Sequence, residues 1–288
     1  MIGPNYTSVS EFIFIGFSNF PQQLMPVFFV VILLMYLFTL LGNLLIMATI
    51  WIERNLHTPM YFFLCALSIS EIFYTFAIIP RMLADLLSTY HSIAFLTCAI
   101  QMFLFFTFGF THSFLLTVMG YDRYVAICQP LRYNVLMSPR GCACFMPESW
   151  AGSSAGGLVL ACGSSVPAVT LGVGLVCMII LLRSCFLALL SYAFIVATIL
   201  KIPSAEGRHK AFSTCASHLT VVIVHYGFSS FIYLKPKGPS FQEGDTLMAT
   251  TYTILTPFLS PIIFSLRNKE LKNAMKKAFL RKFYSSNN

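Results

Sequence analysis

Charge inside an apolar stretch is expensive in a membrane and seldom incidental, and this sequence places it at three points. Asp122 and Arg123 close the long apolar stretch that begins near Ala94, within the run Met119-Gly120-Tyr121-Asp122-Arg123-Tyr124-Val125-Ala126-Ile127-Cys128. A soluble core has no need of such a pair. At the mouth of a membrane bundle the two charges offset each other and face a cytoplasmic partner, which is the chemistry of a switch. Glu71 and His112 fall in the middle of two further apolar stretches, and Asn43 lies within another. Ionisable groups at that depth need partners. Two arrangements are open: a hydrogen-bonded Glu71–His112 pair, joined by Asn43 and by a water or cation, or two separately satisfied buried groups.

Bond-making chemistry has little support. No serine–histidine–acid set, metal cluster or phosphate loop stands at the end of an apolar stretch, so an enzyme is not expected. The nine cysteines show no metal-ligand spacing, and Cys142 and Cys144 lack a second pair. Neither a metal nor a cofactor is expected.

The elements that position these residues follow from composition. Hydrophobic residues make up 57% of the 288 and charged residues 10%, against about 25% charged in soluble domains. The bilayer is therefore the natural solvent. The net charge of +8 does not indicate nucleic acid, because seven of the 18 lysines and arginines follow residue 266 and most others flank apolar stretches. That is the pattern of a membrane protein with basic edges against lipid. The N-terminus has no basic, apolar leader, so the first apolar segment is expected to serve as the targeting signal.

A spanning helix needs roughly 20 apolar residues. Such stretches are Leu24–Ile50, Pro59–Ile79, Ala94–Val118, Val166–Leu200, Phe212–Leu234 and Leu247–Phe264. A weaker seventh, Cys142–Cys162, contains Pro147, Glu148 and Trp150. With the N-terminus outside, 14 of the 18 basic residues fall on the cytoplasmic side, which favours that orientation. The expected layout is an extracellular N-terminus over 1–23, a seven-helix membrane domain over 24–264 and a cytoplasmic tail over 265–288. Asn5-Tyr6-Thr7 is a glycosylation acceptor on the outer side. Ile202–Lys210 reads as a short polar hinge. Asn268–Lys282, with Leu271, Met275, Ala278 and Phe279 at helical spacing beside lysines, reads as an amphipathic helix on the membrane or as a frayed tail.

Five motifs occur in order: Leu56-His57-Thr58-Pro59-Met60-Tyr61; the Met119–Cys128 run with Pro130-Leu131-Arg132-Tyr133; Ser191-Tyr192; Lys210-Ala211-Phe212-Ser213-Thr214-Cys215-Ala216-Ser217-His218-Leu219; and Pro261-Ile262-Ile263-Phe264-Ser265-Leu266-Arg267-Asn268. Together they resemble a vertebrate olfactory receptor of the rhodopsin-like G-protein-coupled class, and within it the H-type subfamily of olfactory family ten. The resemblance implies an all-α, multi-pass bundle of seven transmembrane helices in the plasma membrane. It implies that a small volatile odorant activates a heterotrimeric G protein of the stimulatory, cAMP-raising type. Asp122, Arg123 and Tyr124 would form the switch, with Tyr192 and His218 steadying its open state and Pro261 supplying a kink.

By the same resemblance the odorant site lies in the outer half of the bundle. Phe105, Phe106, Gly109 and Phe110 share one helical face, as do Tyr226, Ser229, Ser230 and Tyr233, with Thr250 and Thr253 opposite. An apolar cavity with a few hydroxyls suits a volatile organic molecule. Plain helix–helix packing uses the same residue types, and for each single residue both readings stay open.

The chain departs from the family in three places. Ser260-Pro261-Ile262-Ile263-Phe264 lacks the asparagine and tyrosine of the family element. After Trp150, about 28 residues are missing relative to the family, more than one membrane crossing. The resemblance makes Cys98 one half of a disulfide whose usual partner falls in that gap. Cys162 is the one nearby thiol, and a bridge requires the two Cα atoms to approach to about 6 Å. Arg183 interrupts Val166–Leu200 near its middle, where an unpaired arginine costs about 2.5–3.5 kcal/mol. A deletion variant that does not signal is therefore the main rival reading, and a small transporter is a remote one.

Overall fold

A computed structural model describes residues 11–13, 22–88, 92–138, 167–234 and 242–285. Helix α1 spans Met25–Ile52 and α2 spans Pro59–Leu87, each with a proline in its first two positions. A proline there sacrifices an N–H that the helix leaves unpaired anyway. Helix α3, Phe95–Cys128, has 34 residues and so measures about 51 Å. That exceeds the ~30 Å hydrocarbon layer, which lets its last turns carry Asp122 and Arg123 to the bundle mouth. A 3-10 turn, Pro130–Arg132, leads into the short α4, Tyr133–Leu136. Helices α5, Pro167–Leu200, α6, Ala205–Leu234, α7, Gln242–Arg267, and α8, Lys269–Ser285, complete the described helices. The expected fourth span, Cys142–Cys162, lies outside the described residues.

The described part of α1, α2, α3 and the Met178–Leu200 part of α5 are long and apolar enough to cross a membrane. Helices α6 and α7 are comparably long but carry more polar residues, which they bury against the bundle: His218, His225 and Ser229 on α6, Thr256 and Ser260 on α7. The polar hinge between α5 and α6 is shorter than 202–210. Ser204 Oγ accepts the Gly207 N–H at 2.9 Å, and this side-chain cap starts α6 at Ala205. Strands appear as well. β1, Glu11–Ile13, pairs antiparallel with β2, Ser92–Ala94, setting Phe12 opposite Ile93.

Helix α1 packs on α2, α7 and α8; α2 on α3; α3 on α5; and α6 chiefly on α7. At Gly42 the first and seventh helices approach closely. A Cβ there would stand 3.0 Å from Pro261 Cβ, the small-residue contact typical of membrane helices. The larger apolar core, including Phe63, Leu115, Met119, Ile195, Phe264 and Leu271, surrounds the Arg123 end. A smaller one, Ile32, Ile79, Met82, Leu83, Leu86 and Ile254, lies elsewhere in the bundle. The tail is helical because Asn268 Oδ1 caps α8 at the Leu271 N–H, 3.1 Å away. Leu271 is fully buried and Met275 packs beside it, while Lys277 pairs with Glu53 on α1's C-terminal flank at 3.0 Å.

Candidate functional site

The last turns of α3 hold the Met119–Cys128 run. Arg123 donates to Asp122 Oδ2 through Nη2 at 2.6 Å and through Nε at 3.0 Å. Tyr133, on α4, donates its hydroxyl to the other oxygen, Oδ1, at 2.8 Å. Asp122 is completely buried and the Arg123 side chain is 12% exposed. A buried carboxylate needs this degree of satisfaction, since removing one partner of such a pair costs about 3–5 kcal/mol. Tyr124 turns aside and packs on Phe194 of α5, with ring centroids 5.8 Å apart. Tyr192 and His218 are brought together as hydroxyl and Nδ1, 2.6 Å apart, both buried. They meet over Gly120, where a Cβ would lie 3.7 Å from the His218 ring. Here α3, α5 and α6 converge.

Arg123 borders a cavity of about 550 Å³ at this end, together with Tyr61, Lys210, Arg267 and Glu270 among others. Its floor is braced by a bond that spans most of the sequence: the Tyr61 hydroxyl donates to Glu270 Oε2 at 2.8 Å. That contact fixes the start of α8 against the start of α2. Pro261 is buried on α7 against Gly42, and Phe264, in place of the family tyrosine, is fully buried in the apolar core.

Deeper in the bundle the structure brings Glu71 and His112 together, Oε1 to Nε2 at 3.1 Å, both buried. The arrangement with Asn43 needs correction. Asn43 Nδ2 donates to the Thr39 carbonyl one turn back in α1, 3.1 Å away, so its amide is satisfied within its own helix and does not reach the pair. A residue outside the expected set joins instead. His225 of α6 lies against His112 at a centroid distance of 4.6 Å, with the ring planes tilted by 43°. Its Nε2 meets Ser113 Oγ at 2.8 Å and its Nδ1 meets the Tyr252 hydroxyl at 3.1 Å. Ser229 donates to that same hydroxyl at 2.7 Å. Four helices thus contribute to one polar cluster. Glu71 Oε2, His112 Nδ1 and Thr256 Oγ1 have no protein partner, and their residues border a cavity of about 30 Å³, room for a water molecule.

A second cavity adjoins this one, of about 50 Å³, lined by Phe105, Phe106, Gly109, Phe110, Ser229 and, from outside the expected set, His225 and Tyr252. It is far below the roughly 300–1,000 Å³ of ligand pockets. Tyr226 does not reach it. That phenol is turned toward α3, donating to the Ser113 carbonyl at 3.1 Å and lying 3.4 Å from Thr117 Oγ1. Ser230, Thr250 and Thr253 are half-buried and border neither of these two cavities. The Tyr233 side chain lies outside the described part. The α6 residues that line this cavity are therefore His225 and Ser229, one helical turn apart, rather than Tyr226 and Ser230. The face is rotated by one residue, about 100°. Tyr74 and Ser113 also line this second cavity. Their signals were present in the sequence, since Tyr74 is three residues beyond Glu71 and Ser113 adjoins His112.

Cys98 is a free, partly buried thiol; Cys162 and Asn5 lie outside the described residues. Arg183 is exposed on α5. It stands near the middle of Pro167–Leu200, as its place within Val166–Leu200 suggested, and its long side chain is free to snorkel along the helix surface.

The sequence profile of the 7 transmembrane receptor (rhodopsin family) matches residues 42–264. Olfactory receptor 10H2 of Homo sapiens is 70% identical, over 99% of each chain. Olfactory receptor 10H5 of Homo sapiens is 67% identical over 316 aligned residues, covering the whole of both chains. Olfactory receptor 10H28 of Mus musculus is 60% identical over 98% of each. The 316 aligned positions exceed the 288 residues of the chain by 28, so at least that many positions face a gap on this side. Profile and relatives agree over nearly the full length, with the Met119–Cys128 run, the polar cluster and the Pro261 element all inside the matched region: the chain belongs to the rhodopsin family of seven-transmembrane receptors and is an olfactory receptor of the 10H type, a receptor class rather than an enzyme class.

Proposed function

We propose that the chain is an odorant receptor that takes small volatile organic molecules and raises cAMP through a stimulatory G protein. In this reading the N-terminus and Asn5 are extracellular, residues 24–264 form the membrane domain and residues 265–288 are cytoplasmic. The observation that carries the reading is the 550 Å³ cavity at the Arg123 end. Its size suits the end of a helix from a partner, and its wall holds the arginine of the switch run. The ion pair with Asp122 keeps Arg123 turned toward its own helix. Widening of the cavity frees it for the G protein, with Tyr192 and His218 rearranging to hold the open state. The odorant enters between Phe105, Phe106 and Phe110, with the Ser229 hydroxyl and Gly109 beneath. The Phe side chains rotate to enlarge the cavity.

The experiment is a cAMP reporter assay in cells exposed to a panel of volatile aromatics and alcohols. An Arg123→Ala variant at matched surface expression serves as control. A response that survives Arg123→Ala would sink the coupling assignment.

A second reading is supported by the 28-position excess in the alignment and the small outer cavity. In it the deletion after Trp150 removes the end of the fourth span and most of an outer loop, and the chain inserts poorly and does not signal. Surface labelling of an N-terminal tag, against a version with the loop restored, separates the two. Equal surface levels would discard the second reading.

A further inference from the structure

The Arg123 end of α6 is tied to two neighbours. One tie is the Tyr192–His218 bond to α5. The other comes from the last residue of α7. Arg267 Nη1 donates to Thr220 Oγ1 at 2.5 Å and to the Ala216 carbonyl at 3.5 Å. Thr220 stands one turn beyond Ala216 and donates its own proton to that carbonyl at 2.7 Å. The hydrogens are all accounted for: the hydroxyl gives its proton along α6 and offers a lone pair to the guanidinium. Arg267 thus supplies a charge-assisted contact that crosses to α6, whereas the described hydrogen bonds of Arg123 go to Asp122 and stay within α3. Helix α6 also packs more extensively on α7 than on α3 or α5. Arg267 itself borders the 550 Å³ cavity, and the next residue, Asn268, caps α8. The guanidinium therefore stands at the corner where α6, α7, α8 and the cavity meet.

We propose that Arg267 is a latch: by gripping Thr220 and Ala216 it holds α6 against α7 and sets how often the cavity widens enough to admit a partner helix. The proposal rests on the G-protein reading for its consequence, though not for its geometry. Hydrogen bonds weaken steeply beyond about 3.2 Å, so a displacement of α6 by about 1 Å from α7 breaks the 2.5 Å contact. The latch is solvent-exposed and hence modest, so its loss raises the open population about fivefold, as for an exposed charge-assisted bond rather than a buried one.

The test uses the purified full chain in lipid nanodiscs, with spin labels carried by non-canonical amino acids at the exposed positions 209 and 272. Thr220→Val removes the acceptor oxygen and keeps the shape, Thr220→Ser keeps the hydroxyl, and Arg267→Ala removes the grip from an exposed side chain with little burden on folding. The expected result is a long-distance population about fivefold larger in Thr220→Val and Arg267→Ala, and restored in Thr220→Ser. Unchanged distance distributions in both disruptive variants would overturn the latch, whatever the signalling. Wider distributions with no acceleration of G-protein nucleotide exchange, in parent or variants, would leave the latch standing and count against the receptor reading.

Discussion

Replacing Asp122 with asparagine tests the resting switch most severely. The carboxylate accepts from Arg123 at two nitrogens and from Tyr133 at the other oxygen, and none of it is exposed. An asparagine of the same shape keeps one acceptor, but presents an NH2 group to a donor and leaves Arg123 without its counter-charge. Breaking a buried pair costs about 3–5 kcal/mol. The 12% exposure of Arg123 lets water recover part of that, leaving about 2 kcal/mol against the closed arrangement. At 1.4 kcal/mol per decade this is roughly a 25-fold shift in the closed-to-open ratio. A resting open fraction of ~1%, ordinary for a minor state, then becomes about 20%. The assay is agonist-free cAMP per surface receptor, with surface level counted by an N-terminal tag. The expected result is a rise of tenfold or more in Asp122→Asn and a smaller one in Tyr133→Phe, which removes a single bond. Basal cAMP equal to the parent's at matched surface level would refute the idea that this pair restrains Arg123.

Other perturbations follow from the same geometry. Gly42→Val should lower the thermal midpoint in detergent, since its Cβ meets Pro261 at 3.0 Å and overpacking costs about 1–3 kcal/mol; an unchanged midpoint would mean α1 and α7 separate freely. Leu271→Ala should undock α8, because a fully buried leucine loses about 2–5 kcal/mol on truncation, and hydrogen exchange across 269–277 reads the loss. Ser204→Ala removes the cap of α6 at about 1 kcal/mol, seen as faster exchange at 205–209 with the rest of the helix unaffected. His225→Phe keeps ring volume but breaks the bonds to Ser113 and Tyr252; its odorant dose–response should shift while surface level holds, and no shift would remove His225 from the binding region.

What the sequence made legible was whatever is costly to place in lipid. Asp122, Arg123, Glu71 and His112 stand out because charge in an apolar stretch demands a partner, and all four sit in pairs. The amphipathic tail was legible from the spacing of Leu271 and Met275. Long-range register was not. The Tyr61–Glu270 and Tyr133–Asp122 bonds depend on how helices rotate and slide against one another, which no single helix's periodicity records. The same rotation put His225, rather than Tyr226, on the cavity. Asn43 was satisfied by its own helix, an option always open to a polar side chain one turn from a carbonyl. Three-residue strands such as β1 and β2 are too short to show alternation, and the start of α6 turned on one serine cap.

The most direct measurement of coupling is nucleotide exchange on a purified stimulatory G protein, driven by the full chain in nanodiscs without added odorant. The account predicts exchange above that of empty nanodiscs, abolished in Arg123→Ala and increased in Asp122→Asn. Exchange indistinguishable from empty nanodiscs for both the parent and Asp122→Asn would contradict it.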